Sequence, residues 1–407
     1  MNNLFVGIDV GSRDNAVYLM LPDGGKHSSF SVKNNPDGAR TISARVVAAL
    51  TEKNMQSAVI GMEATSVYGD NLLYFLREDS ALAKFTRRFH VLNPKQVKKF
   101  KDTHDDLPKN DAVDAFIIAD DLRFGRITKA VFEDDYRYDA LQKLTRARYF
   151  AVQNLVREKQ RFLNYLFMKC SGLAQDNAFS DNFGVAAMEL YDHFETPDSL
   201  ANMSIKELAE FISEKGKNRF PDPDKVANAV IVAAKNSYNL PDPVNASITQ
   251  VMSISMSSIR AMQLQIKTLN KEIERQFDNI PDVLTSVPGI GSVYSAGIVA
   301  EIADINRFGG QASLAKYAGL AWNENKSGTF EGQHTRLIKS GNRFLKYYLC
   351  EAAFSLVRCD TEYKRFYDLK YKEVNKYQHR RALVLTARKL VRLVFRLLKD
   401  NRLYIPA

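Results

Sequence analysis

Leu4-Phe5-Val6-Gly7-Ile8-Asp9-Val10 is an apolar run rich in β-branched residues, with a single carboxylate near its end. It reads as a strand and sets how the chain that follows is parsed. Ala16 to Leu21 is a second apolar run, and Pro22-Asp23-Gly24-Gly25 is a turn that leads to a third, Ser28 to Val32. Two short connections in succession predict antiparallel neighbours. A helical stretch follows over Ala39 to Leu50, then a buried strand over Ala58 to Met62 and a helix around Asn71 to Leu76. Phe89 to Leu92 is a further strand, and Pro94 opens a helix, a position where proline is tolerated.

Three antiparallel strands followed by alternating helix and strand is the order of the RNase H-like (RuvC-like) fold, an α/β domain. An ionised Asp inside an apolar run is costly unless something compensates it. Asp9 therefore reads either as a functional group or as a strand-end turn cap. Glu63 closes Val59-Ile60-Gly61-Met62-Glu63 and breaks the apolar pattern at the same end of a neighbouring strand. In Lys109-Asn110-Asp111-Ala112-Val113-Asp114-Ala115, Asp111 and Asp114 are three apart and share one helix face. Alone, that pair is an ordinary first turn complementing the helix dipole. Together the four carboxylates repel one another unless hard cations neutralise them, and Mg²⁺ (or Mn²⁺) with oxygen ligands is the natural occupant. Two such ions about 4 Å apart can hold a scissile phosphate. Asp14, Asp102, Asp105 and Asp106 lie in polar, loop-like segments and rank lower.

From about Leu141 to Lys169 the pattern turns helical and basic, and a second long helix is expected over Ile248 to Phe277. Ile259, Met262, Ile266, Leu269 and Ile273 recur at spacings of 3, 4, 3 and 4, a heptad-like seam. The two helices are expected to form an antiparallel coiled-coil hairpin. Pro197, Pro221, Pro223, Pro241 and Pro243 mark an inserted helical subdomain at about 172–245. After Ile280 a mainly helical unit is expected, with helices over Arg343 to Val357 and Arg380 to Lys399. The organisation is thus 1–130 RNase H-like, 131–280 coiled coil with its insertion, and 281–407 helical.

The chain of 407 residues carries a formal net charge of +10, and Glu331 to Arg402 holds 18 Lys or Arg against 7 Asp or Glu. Such an excess favours a polyanion, because each phosphate contact releases counterions. The bland alternative is a solvated helix surface. No stretch approaches a membrane span, and the N-terminus shows neither a basic n-region nor a cleavage site. Cys170, Cys350 and Cys359 are odd in number and widely spaced, as in a reducing compartment. A cytoplasmic, nucleoid-associated protein is expected.

Leu284 to Ala296 has the pattern of a helix-hairpin-helix, in which Gly289 and Gly291 permit a tight turn and the next helix start offers N–H groups to a phosphate. Farther on, Lys326-Ser327-Gly328 keeps basic company in Arg336, Lys339 and Arg343. A serine needs a base or a metal before it attacks phosphorus. Ser340, ahead of Gly341-Asn342-Arg343, competes with Ser327, its plainer role being a helix N-cap. Arg146 and Arg148, beside Tyr149 and Phe150, suit a phosphate backbone and stacked bases, or else an exposed coiled-coil face.

These residues resemble the DEDD-type insertion-sequence transposases related to the Piv DNA invertase, described as bridge-RNA-guided serine recombinases. The likeness rests on Gly7-Ile8-Asp9-Val10, Met62-Glu63-Ala64-Thr65, Asn93-Pro94, Lys109 to Ala115, Val287 to Gly291, Ala318-Gly319-Leu320, Lys326-Ser327-Gly328 and Ile338 to Asn342. It covers nearly the whole chain apart from the insertion. The resemblance implies that Asp9, Glu63, Asp111 and Asp114 hold divalent metal and that Ser327 forms a covalent link to DNA. It further implies dimers that pair into tetramers, so that one subunit's serine works with another's carboxylates. It also implies a noncoding bridge RNA that chooses target and donor by base pairing. Trp322-Asn323-Glu324-Asn325 stands where the family often has a Pro-bearing segment, and the insertion is longer than in compact members. Without the resemblance, the residues also admit a RuvC-like nuclease or Holliday-junction resolvase using activated water. A non-catalytic nucleic-acid-binding protein fits less well, since all four carboxylates are present.

Overall fold

Residues 2–64, 67–104, 107–125, 135–176, 178–323, 326–327, 330–331 and 336–405 are described by the computed structural model. The chain divides into two units, Met1–Tyr136 and Arg137–Ala407.

In the first unit the apolar runs become β1 (Asn3–Val10), β2 (Asp14–Met20) and β3 (Lys26–Lys33), joined by the expected short turns. The chain continues through α1 (Pro36–Glu52), β4 (Ser57–Glu63), α2 (Asp70–Glu78), β5 (Thr86–Leu92), α3 (Pro94–Lys101) and α4 (Asp111–Phe124). One sheet results, in the order β3-β2-β1-β4-β5. β2 runs antiparallel to β1 and β3, whereas β4 is parallel to both β1 and β5. That is the expected RNase H-like arrangement, with helices covering both faces. Leu4, Val6, Ile8 and Val10 point to one side and share a core with Ile42 and Val46 of α1 and Leu72 and Leu76 of α2. Phe5 and Val59 point to the other, where Ile117, Ile118, Ala119 and Leu122 of α4 cover them. Helix starts are set by caps: Asn35 accepts from the Gly38 amide at 2.8 Å and Asn110 from the Val113 amide at 2.9 Å. α4 stops at Gly125, whose φ of 74° suits glycine.

The second unit is helical. α5 (Tyr136–Lys169) leads into the inserted helices α6 (Ser171–Gln175), α7 (Val185–His193), α8 (Pro197–Ala201), α9 (Ile205–Lys215) and α10 (Pro223–Lys235), and the chain returns along α11 (Asp242–Phe277). α11 starts six residues before the expected Ile248, because Pro243 sits in the first turn and obstructs nothing. α5 and α11 lie antiparallel. Leu141 shares a core with Ile273 and Phe277, Arg148 donates to Asn270 Oδ1 at 2.6 Å, Ser255 donates to Glu158 Oε1 at 2.7 Å, and Leu166 shares a core with Ile248 and Met252. The seam is closed only at its ends: Ile259 and Ile273 are buried, while Met262, Ile266 and Leu269 are half-buried. The insertion builds its own core from Tyr191, Leu208, Ile212 and Val230 against Phe162 and Leu166.

Beyond a 3-10 turn at Leu284–Ser286 come α12 (Ser292–Ile302), α13 (Gln311–Tyr317), β6 (Lys326–Ser327), β7 (Phe330–Glu331), α14 (Arg343–Cys359), α15 (Thr361–Lys372) and α16 (Gln378–Asp400). Their apolar faces, among them Ile298, Leu349, Ala353, Leu390 and Val394, form one core. Among the described residues no helix is long and apolar enough to cross a membrane.

Candidate active site

Asp9 and Glu63 reach one place because of register and because of two glycines. In the β1–β4 ladder Gly7 stands opposite Gly61 and Ile8 opposite Met62, so the next rung sets Asp9 beside Glu63. Neighbouring strands lie about 4.8 Å apart. Gly7 and Asp9 share a sheet face, as do Gly61 and Glu63, and α4 lies on that face. A Cβ on Gly7 would stand 2.1 Å from the Ala115 carbonyl oxygen and 2.5 Å from the Ala119 nitrogen. One on Gly61 would stand 2.8 Å from Leu122 Cδ1. The bare glycines let α4 settle onto the sheet, which brings Asp111 and Asp114 of its first turn to the two strand-end carboxylates.

The electrostatics record that convergence. The Asp9 carboxyl is pushed up from 3.8 to about 6, first by burial and then by the negative charges of Asp114, Asp111 and Glu63, with Lys101 pulling the other way. Glu63 is raised by burial and then by Asp114. Lys101, the last residue of α3, donates to Asp114 Oδ1 at 2.6 Å. Among the described residues no three His, Cys, Asp or Glu side chains stand at the mutual spacing of a formed metal centre. The four carboxylates are near enough to repel, and a lysine supplies compensating charge. An all-carboxylate donor set fits a hard, oxygen-seeking cation. Neither Asp14 nor Asp102 is among the groups that shift Asp9, and Asp105 and Asp106 lie outside the described residues. Lys101 was not singled out in the sequence, because it is one of four lysines in eight residues.

Ser327 lies on a β-hairpin. Lys326 pairs with Glu331 and Ser327 with Phe330, and nearer the base Trp322 bridges Leu337. The Asn323 amide donates to the Arg336 carbonyl and the Ile338 amide to the Ala321 carbonyl, each at 2.9 Å. Ser327 thus stands on the last described pair toward the tip. Its side chain, that of Lys326, and residues 328–329 lie outside the described residues.

The hairpin's base is locked. Gly341 (φ 130°) and Gly319 (φ 69°) meet backbone to backbone, and a Cβ on Gly341 would stand 2.5 Å from Gly319 Cα. The Asn342 amide donates to the Tyr317 carbonyl at 2.7 Å, and its Nδ2 donates to Glu301 Oε2 at 2.6 Å. Glu301, buried on α12, also accepts from Arg146 Nε at 2.7 Å and Arg146 Nη2 at 2.9 Å. Asn342 Oδ1 accepts from the amides of Phe344 and Leu345 and caps α14. The expected N-cap role of Ser340 therefore belongs to Asn342, and Ser340 is exposed.

The expected nucleic-acid residues divide. Arg336, Lys339 and Arg343 are exposed. Arg146 is engaged by Glu301. Arg148 is 8% exposed and turned inward, donating to Asn270 Oδ1 at 2.6 Å and to the Tyr347 hydroxyl at 3.3 Å. Two residues apart on a helix, the two arginines point to different faces, and Arg148 takes the one that packs on α11. Gly289 (φ 86°) sits against α14, where a Cβ would stand 3.0 Å from the Ser355 carbonyl oxygen. Gly291 is the N-cap of α12, with nothing within 4 Å of an added Cβ. The first arm of the expected helix-hairpin-helix is only the 3-10 turn at Leu284–Ser286.

Residues 6–168 match the DEDD_Tnp_IS110 family, described as Transposase. Residues 282–368 match the family described as Transposase IS116/IS110/IS902. Both matches point to one family, the IS110/IS116 transposases. Relatives within it include the uncharacterized 44.8 kDa protein of insertion element IS116 from Streptomyces clavuligerus, 25% identical over 417 residues that cover 100% of this chain and 97% of that one. Another is the uncharacterized 42 kDa protein of insertion element IS900 from Mycobacterium paratuberculosis, 27% identical and covering 74% and 73% of the two chains. Among solved structures, T. thermophilus RuvC in complex with a Holliday junction substrate aligns over 31% of this chain and 97% of its own, at 18% identity and a TM-score of 0.24. The two IS110/IS116 matches fall on the stretches that hold Asp9, Glu63, Asp111 and Asp114 on one side and Ser327 on the other, and they leave out the inserted helices.

Proposed function

We propose that this IS110/IS116-family transposase cuts and rejoins DNA at the ends of its element, with Ser327 as nucleophile and an acidic, metal-dependent site at Asp9, Glu63, Asp111 and Asp114. The observation that carries the proposal is the convergence of these carboxylates on Asp9, whose titration is lifted to about 6 first by burial and then by their negative charges. A divalent cation, Mg²⁺ or Mn²⁺, held by those four residues would neutralise charge on the scissile phosphate. Ser327 Oγ forms a bond to phosphorus as the bond from phosphorus to the deoxyribose oxygen breaks. The serine hydroxyl loses its proton, and the departing oxygen gains one. The phosphodiester energy is kept in the protein–DNA link, so rejoining needs no other energy source. Lys101 neutralises Asp114 until the site is occupied. Gly289 and Gly291 at the start of α12, with Lys326, Arg336, Lys339 and Arg343, hold phosphates. Guidance by a noncoding bridge RNA and action as a dimer that synapses into a tetramer complete the proposal. Both rest on the family resemblance, and the half-buried middle of the α11 seam offers a surface for association.

Strand cleavage of labelled element-end DNA by metal-stripped protein, followed by Mg²⁺ addition, tests the acidic site. Cleavage that needs added metal and is lost in Asp9→Asn and Asp114→Asn supports the proposal, and full cleavage by either variant contradicts it. Cleavage that survives Ser327→Ala but not Asp9→Asn would replace the serine with activated water, the RuvC-like nuclease chemistry.

A further inference from the structure

Four aromatic rings gather where α5 meets the first turn of α14. Tyr149 lies 5.4 Å from Phe150, 5.1 Å from Phe344 and 5.0 Å from Tyr347, and Phe150 lies 5.7 Å from Phe344, all edge to face. The Arg343 guanidinium stands over this group, 4.9 Å from the Phe344 ring, 5.2 Å from Phe150 and 5.9 Å from Tyr149. Phe150 nevertheless remains 45% exposed. Arg343 and Lys339 are exposed, and among the described residues neither is paired to a carboxylate. On α5, Arg157 is seven residues beyond Phe150 and so lies on the same face, two turns or about 10 Å away. It is exposed, and its guanidinium donates to the neutral Asn154 Oδ1.

An exposed ring beneath an unpaired guanidinium, flanked by cations without counter-charges, calls for a ligand with a flat π-face and attached anions. An apolar peptide would leave the cations unanswered, and a duplex hides its base faces. A strand with an unpaired base satisfies both features, since every base offers a face for stacking and phosphates follow on either side. We propose that Phe150 and Arg343 form a stacking station for one unpaired nucleotide, with Lys339 and Arg157 taking neighbouring phosphates. The proposal rests on the assignment of this chain to nucleic-acid chemistry and adds a place where a strand is held open.

The test uses the full-length protein and short oligonucleotides that carry a single 2-aminopurine, as deoxy strand, as ribo strand and as the matching DNA duplex. Wild type is expected to quench the fluorescent base in a single strand. Phe150→Ala should weaken single-strand binding about ten-fold, within the range for loss of one stacked base, and duplex binding less than two-fold. Its salt dependence should be unchanged, because no phosphate contact is lost. Phe150→Trp should restore binding and quenching. Arg343→Ala should weaken binding and also lower the salt slope by about one. Quenching of the deoxy strand alone assigns the site to displaced DNA, and of the ribo strand alone to an RNA. Phe150 also packs on Tyr149 and Phe344, so the urea midpoint of each variant is measured alongside and binding is compared where every variant is folded. Single-strand binding by Phe150→Ala equal to wild type, or an equal loss on duplex, overturns the station and leaves the proposed function standing. Wild-type protein that binds neither strand nor duplex overturns both.

Discussion

Glu301 ties three segments at the base of the Ser327 hairpin, and removing it should loosen them measurably. Its side chain is 0% exposed and that of Arg146 is 35% exposed. Three short contacts reach it: two from Arg146, at 2.7 and 2.9 Å, and one from Asn342 Nδ2 at 2.6 Å. Breaking a buried pair from one side costs about 3–5 kcal/mol, mostly by stranding the partner's charge. Arg146 is a third exposed and can turn partly to water, so we expect about 2–3 kcal/mol for Glu301→Ala. Glu301→Gln keeps an acceptor and should cost about half as much. The single tryptophan, Trp322, bridges Leu337 within the hairpin and reports on this region alone. Its fluorescence followed through urea unfolding gives the loss directly. In a double-mutant cycle, Glu301→Ala and Arg146→Ala should couple by more than about 1 kcal/mol. A loss under about 0.5 kcal/mol with additive effects would refute the lock and leave the Gly319–Gly341 contact as the hairpin's anchor.

The acidic unit makes two further predictions. Gly7→Ala places a methyl 2.1 Å from the Ala115 carbonyl oxygen, so it should push α4 off the sheet, destabilise this unit by about 2 kcal/mol or more in a denaturant melt, and abolish cleavage. Asp9 titrates near 6 in the folded chain against an ordinary 3.8, so between those values the native state holds more protons than the unfolded one and stability falls as pH rises. The undamped penalty above pH 6 is about 3 kcal/mol, which solvent screening of this part-exposed group trims to about 1–2 kcal/mol. Asp9→Asn in metal-free buffer should therefore be more stable than wild type by about that much at pH 7.5 and equal to it at pH 4; equal stability at both values would show that Asp9 feels no crowding.

The strands were legible because β1, β2 and β4 are apolar runs ended by turns or a charge, and the start of α3 because Pro94 is a strong local signal; α1 begins at Pro36, three residues ahead of the expected Ala39. The carboxylates were legible as exceptions to that pattern. What brings them together was in view as well: Gly7-Ile8-Asp9 and Gly61-Met62-Glu63 repeat one arrangement, glycine two residues before an acid on the same sheet face. A glycine's meaning depends on what lies over it, and α4 begins only at Asp111, far along the chain from both Gly7 and Gly61. Lys101 stayed hidden among equivalent lysines, since only Asp114 distinguishes it. Arg146 and Arg148 were grouped by proximity in sequence, although helical geometry sends them to different faces. Glu301 was invisible for a similar reason: a glutamate on an apolar helix gains its meaning from an arginine 155 residues earlier.

The most direct test of the account is a covalent-trapping experiment. Full-length protein would be incubated with labelled element-end DNA, Mg²⁺ and the RNA transcribed from that end, then denatured and resolved on a gel. The account predicts a protein-linked DNA band that disappears in both Ser327→Ala and Asp9→Asn and persists in Ser340→Ala. A band that survives Ser327→Ala, or cleaved DNA with no protein attached, would contradict it.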